Sequence, residues 1–186
     1  REPLETGVIS ISRAARRSEF PARFQLIAAM NPCPCGYLGS NLRVCRCTPD
    51  QVVRYQGRLS GPLMDRIDLH VEVPSVAAAD LLHTASGDGT AALRARCAQA
   101  RSHAIERQGK PNQALQGLEI DHQVKLAAPA ADFLRAAADR LGWSSRGTHR
   151  ALKVARTIAD LAGSNTTEVV HLAEAIQYRR ALKQVN

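Results

Sequence analysis

Four cysteines inside fifteen residues constrain this chain more than any other feature: Cys33-Pro34-Cys35, then nine residues, then Cys45-Arg46-Cys47. Thiolates are soft ligands, and four of them satisfy a tetrahedral zinc ion through bonds of about 2.3 Å. Two Cys-x-Cys pairs can meet when the intervening residues form a loop, and Gly36 and Gly39 give that loop its backbone freedom. The spacing departs from the commoner Cys-x-x-Cys knuckle, so free buried thiols, two disulfides or an iron–sulfur cluster compete with zinc. Four thiols rarely crowd together for packing alone, which favours the metal. With all four positions filled by protein, the expected role is structural. Secreted disulfide scaffolds spread their cysteines along the fold, whereas here only Cys97 stands outside the cluster. That usage points to a reducing compartment, and we expect a cytoplasmic protein.

The chain has 186 residues, 45% of them apolar, enough for one domain or two small ones and too many for general disorder. Lys and Arg number 25 against 17 Asp and Glu, a formal charge of +8 that favours polyanionic partners such as nucleic acid. No apolar run approaches the ~20 residues that cross a bilayer, so no membrane partner is expected. Arg1-Glu2-Pro3-Leu4-Glu5 reads like the middle of a helix, and we expect a piece of a longer protein.

Val8 to Ser12 alternates apolar and polar residues, as a half-buried strand does. The basic stretch Arg13-Ala14-Ala15-Arg16-Arg17 follows it. Phe24 to Met30 is nearly continuously apolar between Pro21 and Pro32, the pattern of a strand buried on both faces of a parallel sheet. After the cysteine loop (31–47), Thr48-Pro49-Asp50-Gln51 has a cap, a Pro at the first helical position and Gln three after the cap. Ser60-Gly61-Pro62-Leu63 starts a short helix, and Ile67 to Val73 alternates as another strand, ended by Pro74. From 76 the composition turns to alanine-rich helices. A turn at Ser86-Gly87-Asp88-Gly89 leads to a helix over 90–108, a polar connector over 109–120, and helices over Ala130–Leu141 and Ser145–Gly163. A last helix runs from about Thr167 to Lys183. In the helix that begins at Ser145, Ala151, Val154, Ala155, Ile158, Leu161 and Ala162 share one face. An α/β segment (1–74) thus precedes a helical domain (75–186).

Asn31 follows the predicted buried strand, where open α/β sheets place ligand contacts, although from local sequence alone a turn-forming Asn before Pro is the stronger reading. Arg66 stands between a short helix and a strand and could bind phosphate in a bidentate way or pair with Asp65 or Asp68. Between Arg135 and Arg156 six basic residues face a single acid, Asp139; that is either a solvated face or a positive end aimed at a nucleotide or DNA. No GxxxxGK[ST] segment occurs, so these residues alone should not hydrolyse a nucleotide.

The Asn31-Pro32-Cys33-Pro34-Cys35-Gly36 run combines with the segment from Leu59 through Asp65-Arg66 to His70 and with Arg150 to Gly163. Together they resemble the magnesium-chelatase-like AAA+ ATPases, and within them a bacterial competence-protein subfamily. The resemblance covers essentially the whole chain. It implies the C-terminal part of an AAA+ P-loop core with a zinc-binding loop, followed by an all-α lid, with the Walker A and Walker B motifs in a preceding part. By the same resemblance, Asn31 matches sensor 1 and Arg66 an arginine finger acting on the neighbouring subunit. Arg146 matches sensor 2, with Arg150 a close rival. Val8–Ser12 and the basic stretch resemble a pore hairpin that touches DNA, implicating Arg13, Arg16 and Arg17. ATP and Mg are implied in the intact protein, as is self-association into a ring, taken as a hexamer. The implied activity is DNA branch migration in natural transformation. A chelatase-type motor acting on a protein partner and a zinc-stabilised nucleic-acid-binding module are the alternatives. Chelatase motor subunits proper lack such a cysteine loop, which argues against porphyrin metallation.

Overall fold

The computed structural model describes residues 3–13, 16–74 and 87–179. Contacts divide the chain into two compact units, one ending at Ile67 and the other beginning at Asp68. The predicted turn residue Ser86 and the end of the last helix near Lys183 lie outside the described residues.

The first unit opens with a single helical turn, α1 (Pro3–Thr6), and an antiparallel hairpin of β1 (Val8–Arg13) and β2 (Arg16–Pro21). Its register runs from Val8↔Pro21 through Ile9↔Phe20 to Arg13↔Arg16. Gly7 adopts φ +67° at the hairpin base and accepts from the Ala22 N–H at 2.7 Å. β1 is the strand that alternation predicts, but Ile9, Ile11 and Phe20 stay exposed, so the ribbon is less buried than half-buried.

Phe24–Met30 is not a strand, contrary to expectation. It runs without sheet pairing, and Phe24, Leu26, Ile27 and Met30 are exposed, Ile27 by 84%. An apolar extended run becomes a strand only where neighbouring backbone supplies partners, and among the described residues the hairpin is the only sheet. The strand predicted over Ile67–Val73 is likewise absent; Leu69, Val71 and Val73 are exposed, and the His70 N–H donates to Tyr178 O at 2.7 Å. Two short helices complete the unit: α2 (Pro49–Gln56) begins at its predicted Pro, and α3 (Gly61–Met64) begins at Gly61, within the predicted Ser60–Leu63 start. Among the described residues, Cys33 and Val52 are the buried apolar side chains of this unit.

The second unit holds the larger core. Its helices are α4 (Thr90–Gln108), α5 (Leu118–Val124), α6 (Ala128–Leu141), α7 (Ser145–Leu161) and α8 (Val169–Gln177), with a 3-10 turn at Asn112–Ala114. α5 lies in and beyond what the sequence presents as a polar connector. α7 is the central element, packing on α4, α5, α8 and the 3-10 turn. Leu115, Ile120, Val124, Ala130, Leu134, Leu152, Ala155, Leu172 and Ala175 form the core cluster. The buried face of α7 is turned from the predicted one: Leu152 and Ala159 are inside, while Leu161 and Ala162 are exposed. Gly163, at φ +69°, ends the helix in a Schellman arrangement, with Ser164 N donating to Ala159 O at 2.8 Å.

Arg156 is fully buried rather than part of a solvated basic face. Its Nε and Nη2 reach Asp160 Oδ1 at 3.2 and 2.8 Å, Nη1 reaches Asn165 O and Thr167 Oγ1, and Nη2 also donates to Ser164 O. Arg107 from α4 grips the same carboxylate at 2.6 and 3.0 Å, and Asn112 donates to it at 2.8 Å. Burial works to raise the Asp160 pKa, but hydrogen bonds from Arg107, Asn112 and Arg156 outweigh it and hold the carboxyl below its ordinary value. Asp160→Ala is expected to destabilise this unit by about 3–5 kcal/mol in urea unfolding, because it leaves two guanidiniums unpaired. The sign with pH follows from the depressed pKa. The carboxylate's contribution is complete above the unfolded value near ~3.9 and is lost as pH falls through the lower folded value.

Candidate functional site

The cysteine loop folds back on itself between Gly36 (φ +81°) and Gly39 (φ +77°), both in the left-handed region that glycine adopts without strain. The four sulfurs converge within 4.8 Å of one another. Cys33 and Cys35 are 3.4 Å apart, Cys33 and Cys45 3.7 Å, and Cys35 and Cys45 3.6 Å. A tetrahedron with ~2.3 Å metal–sulfur bonds has edges of roughly 3.8 Å, so the donors fit one ion. The separations are far from the ~2.05 Å of a disulfide, and all four cysteines are free.

Electrostatics of the cluster also suit a cation. Backbone hydrogen bonds from Tyr37 and Arg46 hold the Cys35 thiol down to about 6, against burial and with help from Cys33 and Cys47. A backbone hydrogen bond from Cys35 acts to lower Cys47, yet burial and the neighbouring sulfurs together push it up to about 12. Cys45 is raised in the same way, its backbone hydrogen bond from Cys47 being outweighed by burial, Cys35 and Cys33. One thiolate therefore forms readily and further negative charge is resisted, which a divalent ion would relieve.

Rigid neighbours hold the loop. Thr48, directly after the last thiol, caps α2 in the predicted capping box: its Oγ1 accepts from Gln51 N at 3.3 Å and its N–H donates to Gln51 Oε1 at 3.0 Å. At the other end of α2, Gln56 Nε2 donates to Pro32 O at 3.0 Å. Arg43 lies over the Tyr37 ring, 5.5 Å from its centre.

The remaining residues of interest are spread over both units. Asn31 is exposed, and its side-chain amide lies beside Gly36. Arg66 is half-buried just after α3, and its Nη1 donates to Pro62 O at 2.5 Å. Arg13, Arg16 and Arg17 are exposed on the hairpin, Arg17 paired with Glu19 at 3.0 Å. Within the second unit, Arg146 is exposed in the first turn of α7, while Arg150 is only 14% exposed and bonds Asp68 Oδ1 at 2.5 Å. That pairing joins residues 82 positions apart, and no local pattern announces it. No helix among the described residues is long and apolar enough to cross a membrane.

Residues 1–81 match the family described as magnesium chelatase, subunit ChlI, and residues 87–179 match magnesium chelatase, subunit ChlI C-terminal. The chain belongs to this magnesium-chelatase-like AAA+ family. Among curated relatives it is 46% identical to competence protein ComM of Haemophilus influenzae, across 98% of this chain and 36% of that protein. It is 44% identical to the uncharacterized protein YifB of Escherichia coli (96% and 35% covered) and 37% identical to the uncharacterized protein Mb2921c of Mycobacterium bovis (97% and 36%). The chain thus spans about a third of the length of these relatives.

Proposed function

We propose that this chain supplies the C-terminal part of the P-loop core, and the helical lid, of a ring-forming AAA+ motor that moves DNA by ATP hydrolysis. In this reading the motor is a cytoplasmic branch-migration helicase of the ComM type. The observation that carries it is the Asn31-Pro32-Cys33-Pro34-Cys35-Gly36 run, folded into a four-thiol cluster in a chain 46% identical to competence protein ComM. The ion of the cluster is zinc, held by Cys33, Cys35, Cys45 and Cys47, and its role is to fix the loop. Bound ATP with Mg supplies the cleavable phosphoanhydride bond. Asn31 orients the attacking water as sensor 1, and Arg66 reaches the neighbouring subunit's nucleotide. Arg146 or Arg150 contacts the nucleotide from the lid. The phosphate-cradling loop and Walker B acids belong to the preceding part of the intact protein, so these 186 residues alone are expected to be inactive.

DNA-stimulated ATPase and branch migration by the intact protein test the proposal. ATPase indifferent to DNA but stimulated by a protein would favour a remodelling motor of the chelatase kind instead. The hairpin offers a narrower check. Replacing Arg13, Arg16 and Arg17 together by alanine should weaken DNA binding and reduce the slope of log affinity against log salt by about 2–3, since each phosphate contact contributes roughly 0.7–0.9. ATP hydrolysis without DNA should be unaffected.

A further inference from the structure

In the second unit, α4 is 19 residues long, yet Ala100 and Ala104 are the only residues buried along it. Its alanines favour the helix by intrinsic propensity, and no continuous apolar stripe runs along it. From Thr90 to Ile105 the sequence holds no Asp or Glu but carries Arg94, Arg96 and Arg101. Arg96 is paired with Asp88 at 3.1 Å in an exposed bridge. Arg94 and Arg101 are exposed and have no acidic partner among the described residues. With Ala98 and Ile105 they recur at spacings of four, three and four, so they share one face, turned away from Ala100 and Ala104. Seven residues of α-helix rise roughly 10 Å, the rise of about three nucleotides along one DNA strand. Between the two arginines the small side chain of Ala98 leaves room for a backbone to approach. An acid-free cationic face complements phosphate, whereas a second copy of a chain with net charge +8 is a poorer match.

We propose that the Arg94–Arg101 face of α4 is a second DNA contact, besides the β1–β2 hairpin, and that it binds backbone phosphates whatever the base sequence. The choice of DNA as partner rests on the reading of the intact protein as a DNA motor. Each guanidinium presents a planar fork of donors that matches two oxygens of one phosphate. Phosphate contacts fix the position of a strand without reading its bases, which suits a motor that must pass along any sequence.

The test is binding of a fluorescent random-sequence duplex by the intact protein over a series of salt concentrations, for wild type and R94A/R101A. Loss of two phosphate contacts should reduce the slope of log affinity against log salt by about 1.4–1.8, or affinity by roughly 25- to 60-fold at 0.1 M salt. Alanine is the best helix former, so α4 should persist. R94Q/R101Q takes the variant's place if thermal unfolding shows R94A/R101A to be misfolded. Cys97, exposed and one turn from each arginine, reports on the face directly. Its alkylation by iodoacetamide, followed by mass spectrometry of its own peptide, should slow severalfold when DNA is added to wild type, and not in R94A/R101A. An unchanged salt slope, with DNA still stimulating ATP hydrolysis, would overturn the α4 contact and leave the motor reading intact. Wild type that binds no duplex would sink both. Alkylation that slows on assembly with ATP alone, with nothing added by DNA, would make the face an interface between copies and refute the DNA contact.

Discussion

Arg66→Ala in the intact protein is expected to lower ATP turnover by roughly 10³–10⁵ while leaving folding and ATP affinity nearly unchanged, the range typical of arginine fingers. The structure places Arg66 immediately after α3, where its guanidinium donates back to Pro62 O. A phosphate offering two oxygens matches the planar guanidinium better than a single carbonyl oxygen does. Arg66→Lys should restore little, because an ammonium cannot reproduce the planar fork. A purely local role predicts the opposite pattern: a small loss of stability with near-normal turnover. Mixed rings sharpen the comparison. A subunit disabled at Walker A but keeping Arg66 should lend its arginine to an Arg66→Ala neighbour and restore part of the activity. Assembled mixtures that show no rescue at any ratio would mean that Arg66 does not act across the interface.

Removing the metal should have the other large effect. Structural zinc sites contribute apparent binding energies of about 10–16 kcal/mol, far beyond what the sparse packing of the first unit offers in exchange. Elemental analysis should find one zinc per chain. Chelation, or Cys33→Ser at the buried ligand, should then raise hydrogen exchange across 31–58, including α2. The loss reaches α2 because its cap follows the last thiol directly and its far end is tied to Pro32. The core of the second unit, built on Leu134, Leu152 and Leu172, should keep its protection. Freshly reduced protein that lacks metal yet keeps an ordered loop would refute the assignment.

Local chemistry was legible wherever a few adjacent residues decide the outcome. The thiol spacing brings the four sulfurs together over Cys33–Cys47, and the capping box at Thr48 forms as expected. Features set by distant neighbours were not legible. Phe24–Met30 has the composition of a buried strand, but a strand is defined by its partners, and none of the described residues pairs with it. β2, Arg16–Pro21, has no alternating pattern, and its pairing comes from β1 opposite. Arg156 reads as a surface charge in a basic stretch, yet Asp160, Asn165 and Thr167 satisfy it so fully that burial becomes tolerable. The Asp68–Arg150 pair joins two ends of a long separation, and neither residue's own surroundings mark it.

The cysteine loop divides into a part that tolerates a change of length and a part that does not. Between Cys35 and Cys45 the chain passes Gly39, which meets nothing within 4 Å of an added Cβ, and the exposed Leu42 and Val44. Closing a longer flexible loop adds only about 0.6 kcal/mol per doubling, so extra residues there leave the four sulfurs free to converge. Between Cys45 and Gln51 there is no such slack. One residue inserted after Cys47 would turn the capping hydroxyl away from the last thiol's position, so that either α2 loses its cap or the metal loses a ligand. A tag, a cross-linking residue or a fluorescent label for following this unit belongs at Ser40–Leu42 and nowhere nearer the second pair of thiols.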